Sequence, residues 1–289
     1  MSDENNSTPL GIQTAYPDHY DADLLCPVSR AEGRRWIIDN HVLPNKTSPN
    51  EKLADEWPFK GVDYWNAYEV SWLNDQGKPQ IGIIEFAVPF DSPNIVESKS
   101  LKLYLNSLNQ HRFSHHADVV ATVSRDLEQV IGSPVDVKLH TEIDHEDSYA
   151  VSVLKGECID HLDIQVDQFA VDSTILQTFP DKAVSETLYS HLLRSNCPVT
   201  GQPDWASLMI RYQGPTIQRE SLLRYIISYR THNEFHEQCV ERIFMDILHR
   251  CRPTKLTVYA RYTRRGGIDI NPFRSNFEMP YPNARLARQ

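Results

Sequence analysis

Glycine is scarce in this sequence, at 11 of 289 residues. Neither G-x-G-x-x-G nor G-x-x-x-x-G-K-[ST] occurs, so a nucleotide bound here is held without the usual phosphate-cradling loops. Net positive charge is lacking too: 29 Lys and Arg stand against 39 Asp and Glu, a net charge of −10. That excludes a surface that binds nucleic acid through many phosphates, which needs a basic field or a large basic patch. No run approaches the ~18 apolar residues of a membrane span. The polar start, Met1 to Pro17, lacks the basic end and apolar run of a signal peptide, and the expectation is a cytoplasmic protein without membrane contact. The five cysteines, Cys26, Cys158, Cys197, Cys239 and Cys251, are odd in number, irregular in spacing and without C-x-x-C. They read as reduced thiols rather than a disulfide framework.

What is present suffices for a core: 40% of residues are hydrophobic, in a chain long enough for one large domain or two ordinary ones. Residues 1–60, rich in Pro, Asn, Asp and Ser, read as an extended arm with short turns. Tyr68, Val70 and Trp72 alternate as in a strand, Asn74 to Gly77 signals a turn, and Ile81 to Phe90 is a second strand. Leu101, Tyr104, Leu105 and Leu108 mark one helix face; Val120, Val123, Leu127 and Val130 mark another, closed by Gly132-Ser133-Pro134. Val135, Val137, Leu139 and Ile143, then Tyr149, Val151 and Val153, alternate again.

This β-β-α-α-β-β order recurs. Leu188 to Arg194 and Trp205 to Tyr212 read as strands. Leu222, Tyr225, Ile226 and Tyr229, then Val240, Ile243, Phe244 and Ile247, read as helices. Leu256 to Tyr262 and a short strand at Ile268 and Ile270 follow. At an offset of 121 the first helices align Ser100/Ser221, Leu101/Leu222, Tyr104/Tyr225, Ser107/Ser228, His111/His232 and His115/His236, six of sixteen positions. That agreement, in the same element of the same order, favours a duplicated α+β module. The expected division is an arm at 1–60, a first module at 61–157, a connector at 158–183 and a second module at 184–289.

Four features could carry chemistry. Cys197 lies in a Pro- and Gly-shaped loop, Asn196 to Asp204. There it is either an accessible nucleophile, with Asp204 returning as acid or base, or a partly buried structural thiol; Cys239 and Cys251 read as core. Val96-Glu97-Ser98-Lys99-Ser100 opens a helix. These residues either cap it, or present N–H groups, Ser98 and Lys99 to an anion while Glu97 binds a donor-rich heterocycle. His232, His236 and Cys239 would share a face if helical throughout, as zinc ligands can, but a fourth ligand is missing. His236 and Glu237, at a loop-to-helix junction, are better placed to hydrogen-bond a ligand. Arg261, Arg264, Arg265, Gly266 and Gly267 form either a solvated hairpin turn or a phosphate site.

Glu97-Ser98-Lys99-Ser100-Leu101-Lys102-Leu103-Tyr104 resembles the signature E-[SL]-K-[SA]-h-K-[LY]-[YFW] of the NADPH-dependent 7-cyano-7-deazaguanine reductases, the nitrile reductases of queuosine biosynthesis. Cys197 with Asp204, Phe235-His236-Glu237, and Arg265-Gly266 resemble that family's other sites. The resemblance implies two tandem tunnelling-fold modules, related to GTP cyclohydrolase I, in subunits that pair as homodimers. It implies a catalytic pair Cys197 and Asp204; substrate contacts from Val96, Glu97, Ser98, His236 and Glu237; NADPH contacts from Ser98, Lys99, Arg265 and Gly266; and no metal in the chemistry. The competing expectations are a zinc-dependent cyclohydrolase on a pterin or purine, and a non-catalytic heterocycle-binding protein of the same shape.

Overall fold

The computed structural model describes residues 17, 19–41, 57–142 and 151–289. A short strand β1 (Pro27–Ser29) leads into helices α1 (Arg30–Gly33) and α2 (Arg35–Asn40). The first module contains β2 (Lys60–Leu73), β3 (Pro79–Pro89), β4 (Asn94–Val96), α3 (Ser98–Ser107), α4 (His116–Ile131) and β5 (Asp136–His140). After β6 (Glu157–Cys158), the second module contains β7 (Thr178–Asn196), β8 (Pro203–Ile217), α5 (Arg219–Ser228), α6 (His236–Cys251), β9 (Lys255–Tyr262) and β10 (Ile268–Ser275). The fold class is the expected α+β. Both modules lie in one eight-stranded sheet, ordered β5-β3-β2-β10-β9-β8-β7-β6, and only the β6–β7 pair is parallel.

The duplication is visible atom by atom. Corresponding helices of the two modules have equal lengths, α3 with α5 and α4 with α6, and each first helix ends in a 3₁₀ turn. Ser100 Oγ donates to Glu97 O at 2.7 Å, and Ser221 Oγ to Gln218 O at 2.8 Å. Tyr104 Oη donates to Asp126 at 2.7 Å, and Tyr225 Oη to Asp246 at 2.6 Å. The shared serines and tyrosines therefore tie each helix to its own start and to its partner helix. Each module buries its helix pair against one sheet face, in two separate apolar cores.

Several elements differ from the expectations. The segment read as an extended arm is helical over much of 30–40 and buries Arg30, Arg34 and Ile37. Arg30 pairs with Asp63 and Arg34 with Glu241, so residues of the expected arm are internal ion-pair partners. On α4 the fully buried stripe is Val119, Val123, Leu127 and Ile131; Val120 and Val130 flank it, half-buried, because at 3.6 residues per turn two neighbouring rows both look apolar. Gly132 does close the helix, in the left-handed conformation at φ 76°. The strand expected at Tyr149, Val151 and Val153 is not formed over its described part: Tyr149 lies outside the described residues, Val151 and Val153 are exposed, and Ser152 makes one bridge to Leu286. β7 starts at Thr178, inside the expected connector, and β10 runs through Pro272 to Ser275. Among the described residues no helix is long and apolar enough to cross a membrane.

Candidate active site

The closing register of the β7–β8 hairpin, Ser195 opposite Asp204 and Asn196 opposite Pro203, sets Cys197 at the first position of the connecting loop. The loop folds back on itself. Cys197 N donates to Gln202 O at 2.8 Å, and Gly201, at φ 67°, donates its N–H to Cys197 O at 3.0 Å. Of the two readings of Cys197, the fold buries the thiol, which is 5% exposed, yet sets it in the lining of a cleft. Burial pushes the thiol up. Hydrogen bonds from the Thr200 hydroxyl and amide and the Val199 amide, with the Arg265 guanidinium, outweigh that and hold it below its ordinary value.

Asp204 lines the same cleft. Its Oδ2 lies 3.3 Å from His236 Nε2, and its Oδ1 3.5 Å from Arg265 Nε. His236 and Glu237 are the first residues of α6, where the free helix N–H groups favour an acid. The His236 ring stacks on Tyr262, centroids 3.7 Å apart and planes within 5°. Two buried polar atoms of these cleft residues have no partner among the described residues, His236 Nδ1 and Glu237 Oε1. Native proteins rarely leave such atoms unmatched, and a ligand that offers complementary groups would satisfy both. Burial, and next the charge of Asp63, push the Glu237 carboxyl up to about 8 against the opposing pull of Arg30 and Arg274.

Val96 and Ser98 line the cleft from the first module. Glu97 between them turns inward: it is the N-cap of α3, its Oε1 accepting from Lys99 N at 2.8 Å and its Oε2 from Ser100 N at 2.7 Å. A carboxylate offers about four lone-pair sites; the two cap bonds and the Ser98 hydroxyl, 3.5 Å from Oε1, take three and leave one for another donor.

A second hollow, about 580 Å³, adjoins the first and is lined by Ala67, Glu69, Lys102, Gly266 and their neighbours. Three elements supply a residue to each hollow: β2 gives Trp65 and Ala67, β10 gives Ile270 and Ile268, and α3 gives Ser98 and Lys102. Gly266 sits at φ 59°, and a Cβ there would stand 3.0 Å from Lys102 Nζ, so only glycine lets this cation close to the turn. Burial, then the neighbouring Arg265, hold the Lys102 ammonium below its usual value. A second positive charge from a side chain that loses its water is what an anionic phosphate would stabilise.

The arginine cluster divides. Arg261 is buried and bonds Gln289, Asn283 and Tyr259, so it anchors the C-terminal segment. Arg264 stacks on Tyr68 and donates to Gln289 O. Only Arg265 reaches the cleft, and it also donates to Gln202 Oε1 at 3.2 Å. The expected zinc face also separates. His232 ends a 3₁₀ turn and pairs with Glu234 at 2.8 Å, while His236 turns to Asp204. The group that does converge is His232, Glu234 and Cys239, and burial first of all drives the Cys239 thiol well above its ordinary value, against the thiolate a metal needs.

Sequence reasoning missed Thr200, Lys102, Trp65 and Tyr262. Lys102 was visible as the third charged position of the signature octet, and Thr200 as a hydroxyl inside the cysteine loop.

Family models and known proteins match this chain over most of its length. A family model described as nitrile reductase, 7-cyano-7-deazaguanine-reductase N-term, matches residues 16–139, and one described as QueF-like protein matches residues 203–280. Curated proteins from Cupriavidus pinatubonensis and Chromobacterium violaceum, both named NADPH-dependent 7-cyano-7-deazaguanine reductase, are 51% and 52% identical to it. The first match covers 98% of both chains, the second 98% of this chain and 96% of its relative. A protein of the same name from Hydrogenovibrio crunogenus is 51% identical over 97% of this chain and 96% of its own.

Proposed function

This chain belongs to the family of NADPH-dependent 7-cyano-7-deazaguanine reductases, and on that premise we propose that it reduces the nitrile of 7-cyano-7-deazaguanine to an aminomethyl group, in queuosine biosynthesis. The observation that carries the reading is the convergence of Cys197, Asp204, His236, Glu237 and Arg265 on one cleft. A nitrile carbon is a poor hydride acceptor. Addition of the Cys197 thiolate, with a proton to nitrogen, gives a thioimide that is easier to reduce. Thr200, Val199 and Arg265 hold that thiol below its ordinary value, which favours the thiolate.

Asp204 takes the thiol proton and passes it to the nitrile nitrogen, with His236 as its hydrogen-bonded neighbour. Glu237, and the remaining lone pair of Glu97, accept the N–H donors of the aminopyrimidinone edge. NADPH supplies hydride, and the conversion of C≡N to CH₂–NH₂ takes two hydrides and two protons, hence two NADPH. After the first reduction the thiohemiaminal carbon expels the Cys197 thiolate and leaves an imine for the second. That imine hydrolyses in free water, so the chain must enclose it. The hollow beside the cleft, with Lys102 and Gly266, is where these residues would hold the nicotinamide nucleotide. Ser98, Lys99, Arg265 and Gly266 are its proposed contacts. Subunits pair as homodimers; exposed Val153 and the Arg211–Phe277 stack, bordering a groove on the helix-free sheet face, are apolar surface a second subunit would cover.

The test is NADPH oxidation with the nitrile, together with intact-mass spectrometry without NADPH. Wild type should gain the mass of one substrate, and Cys197→Ala should gain none. An adduct that persists in Cys197→Ala would overturn the assignment.

A further inference from the structure

On the opposite face of the sheet from the cleft, three donors converge that the proposed reaction does not use. Cys158 and Asp160 come from the connector, and His191 from β7; one ligand atom of each lies within 4.8 Å of the other two. The convergence is built by the fold. The parallel β6–β7 pair sets Cys158 beside Tyr189, and the His191 amide donates to Asp160 Oδ2 at 2.9 Å. The other oxygen of that carboxylate, Oδ1, is buried and has no partner among the described residues. The His191 ring is oriented in turn, with Nδ1 2.7 Å from Ser207 Oγ. An outer hydroxyl that fixes an imidazole, and a carboxylate oxygen left without a donor, are the arrangement of a ligated cation.

From this geometry we propose that Cys158, Asp160 and His191 form a binding site for a divalent transition-metal ion, zinc being the cation this donor set suits. The sulfur, nitrogen and oxygen donors are those zinc takes, and three protein ligands leave a fourth, tetrahedral position to water. Charge balances: the ion's two positive charges meet one thiolate and one carboxylate, and binding releases the single proton of the Cys158 thiol. The displaced contact is the Tyr189–thiol hydrogen bond. The site lies on the helix-free face, because His191 packs against Tyr189 and Ser207 there while Leu188, Leu208 and Ile210 point to the helices. The metal would therefore pin the connector to the second module and take no part in the reduction. A hollow lined by His191, Ser207 and Arg288 gives the ion a path in.

Metal-stripped full-length protein titrated with cobalt(II) tests this. One equivalent should bind with a thiolate-to-cobalt band and the strong visible absorption of a tetrahedral ion. Cys158→Ser and His191→Ala should lose both, and weaken zinc binding in a chelator competition by more than the about tenfold that even an outer-shell partner's loss costs. Cys239→Ser, which removes the other cluster, should keep both signals. Where a variant fails to fold, wild type still decides: zinc should slow alkylation of the Cys158 peptide at least about tenfold, read by mass spectrometry. No cobalt band, an unchanged band in Cys158→Ser, or alkylation of Cys158 unaffected by zinc would overturn the site.

Discussion

Glu237 brings an unmatched oxygen to the cleft from a position that is 1% exposed. With its carboxyl raised to about 8, the free protein carries it protonated at neutral pH. Accepting N–H donors on both of its oxygens requires the carboxylate, so binding in that mode must expel the proton. Affinity for the nitrile should then rise with pH, by up to about tenfold per unit, and level off above about 8. Calorimetry in the Cys197→Ala background, which removes covalent capture, checks this in buffers of different ionisation enthalpy. Glu237→Gln should bind more weakly, by about 1.5–3 kcal/mol, and lose the pH dependence; a slope that survives in the variant places the proton elsewhere.

Arg265 has two partners at this scale. It touches Asp204 and the thiol's loop as well as facing the Gly266 turn. Arg265→Ala should therefore lower single-turnover rate as well as erode the preference for NADPH over NADH. The preference should fall by about 10- to 150-fold, the worth of a charge-assisted phosphate contact. Comparison of kcat/KM for the two nucleotides measures it. An unchanged ratio with a reduced rate would assign the phosphate to Lys99 or Lys102.

At the scale of elements, what the two modules share is packing, and what they do not share is chemistry. Ser100/Ser221 and Tyr104/Tyr225 repeat because each serves its own helix pair. Such positions were legible in the sequence because internal packing repeats with the fold. The cap differs: Glu97 stands where the second module has Gln218, whose side chain makes no cap bond. The hairpin loops differ too, Asn74 to Lys78 being a tight turn and Cys197 to Gln202 the thiol loop. The choice between a buried and an accessible Cys197 was not legible, because a Pro- and Gly-rich loop gives no sign that its backbone closes on itself. Nor were the partners of Arg30 and Arg34, which lie 33 and 207 residues away.

Glu97 allows its two roles to be separated. Glu97→Ala removes the α3 cap and should cost about 0.5–2 kcal/mol of stability. Glu97→Gln keeps one accepting oxygen and so one of the two cap bonds, and it should fall between wild type and Glu97→Ala in urea unfolding. If the carboxylate also binds the base, Glu97→Gln should weaken substrate binding as well. A Gln variant with wild-type affinity confines Glu97 to capping.

The whole molecule is held at the seam between modules. β2 pairs with β10 over eight residues, Lys60–Ala67 against Ile268–Ser275. Under that seam a buried chain of charges runs from the arm through both modules. Arg34 meets Glu241 at 2.6 Å, Glu241 meets Arg274 at 2.8 Å, Arg274 meets Asp63 at 2.7 Å, and Asp63 meets Arg30 at 2.5 Å. Removing the central guanidinium leaves two buried acids short of a partner, so Arg274→Met should cost about 3–5 kcal/mol in urea unfolding. The same chain reaches the cleft, because Glu237 and Glu241 are one turn apart on α6 and are driven in opposite directions. Burial raises Glu241 less than Arg34 and Arg274 lower it, to about 2, while Glu237 goes up to about 8.

The signs follow from which state holds the proton. Glu241, depressed on folding, contributes stability above its unfolded value of 4.5, and that contribution fades as pH falls toward about 2. Glu237, raised on folding, costs nothing below its unfolded value of 4.5 and destabilises progressively as pH climbs to about 8. Urea midpoints of the ligand-free protein should therefore decline on both sides of a mildly acidic optimum. Glu237→Gln should flatten the alkaline decline and leave the acid one. Arg274→Met should weaken the acid decline, since Glu241 then has less to lose. An alkaline decline that persists unchanged in Glu237→Gln would show that another buried group takes up that proton, and would detach the seam's charges from the cleft.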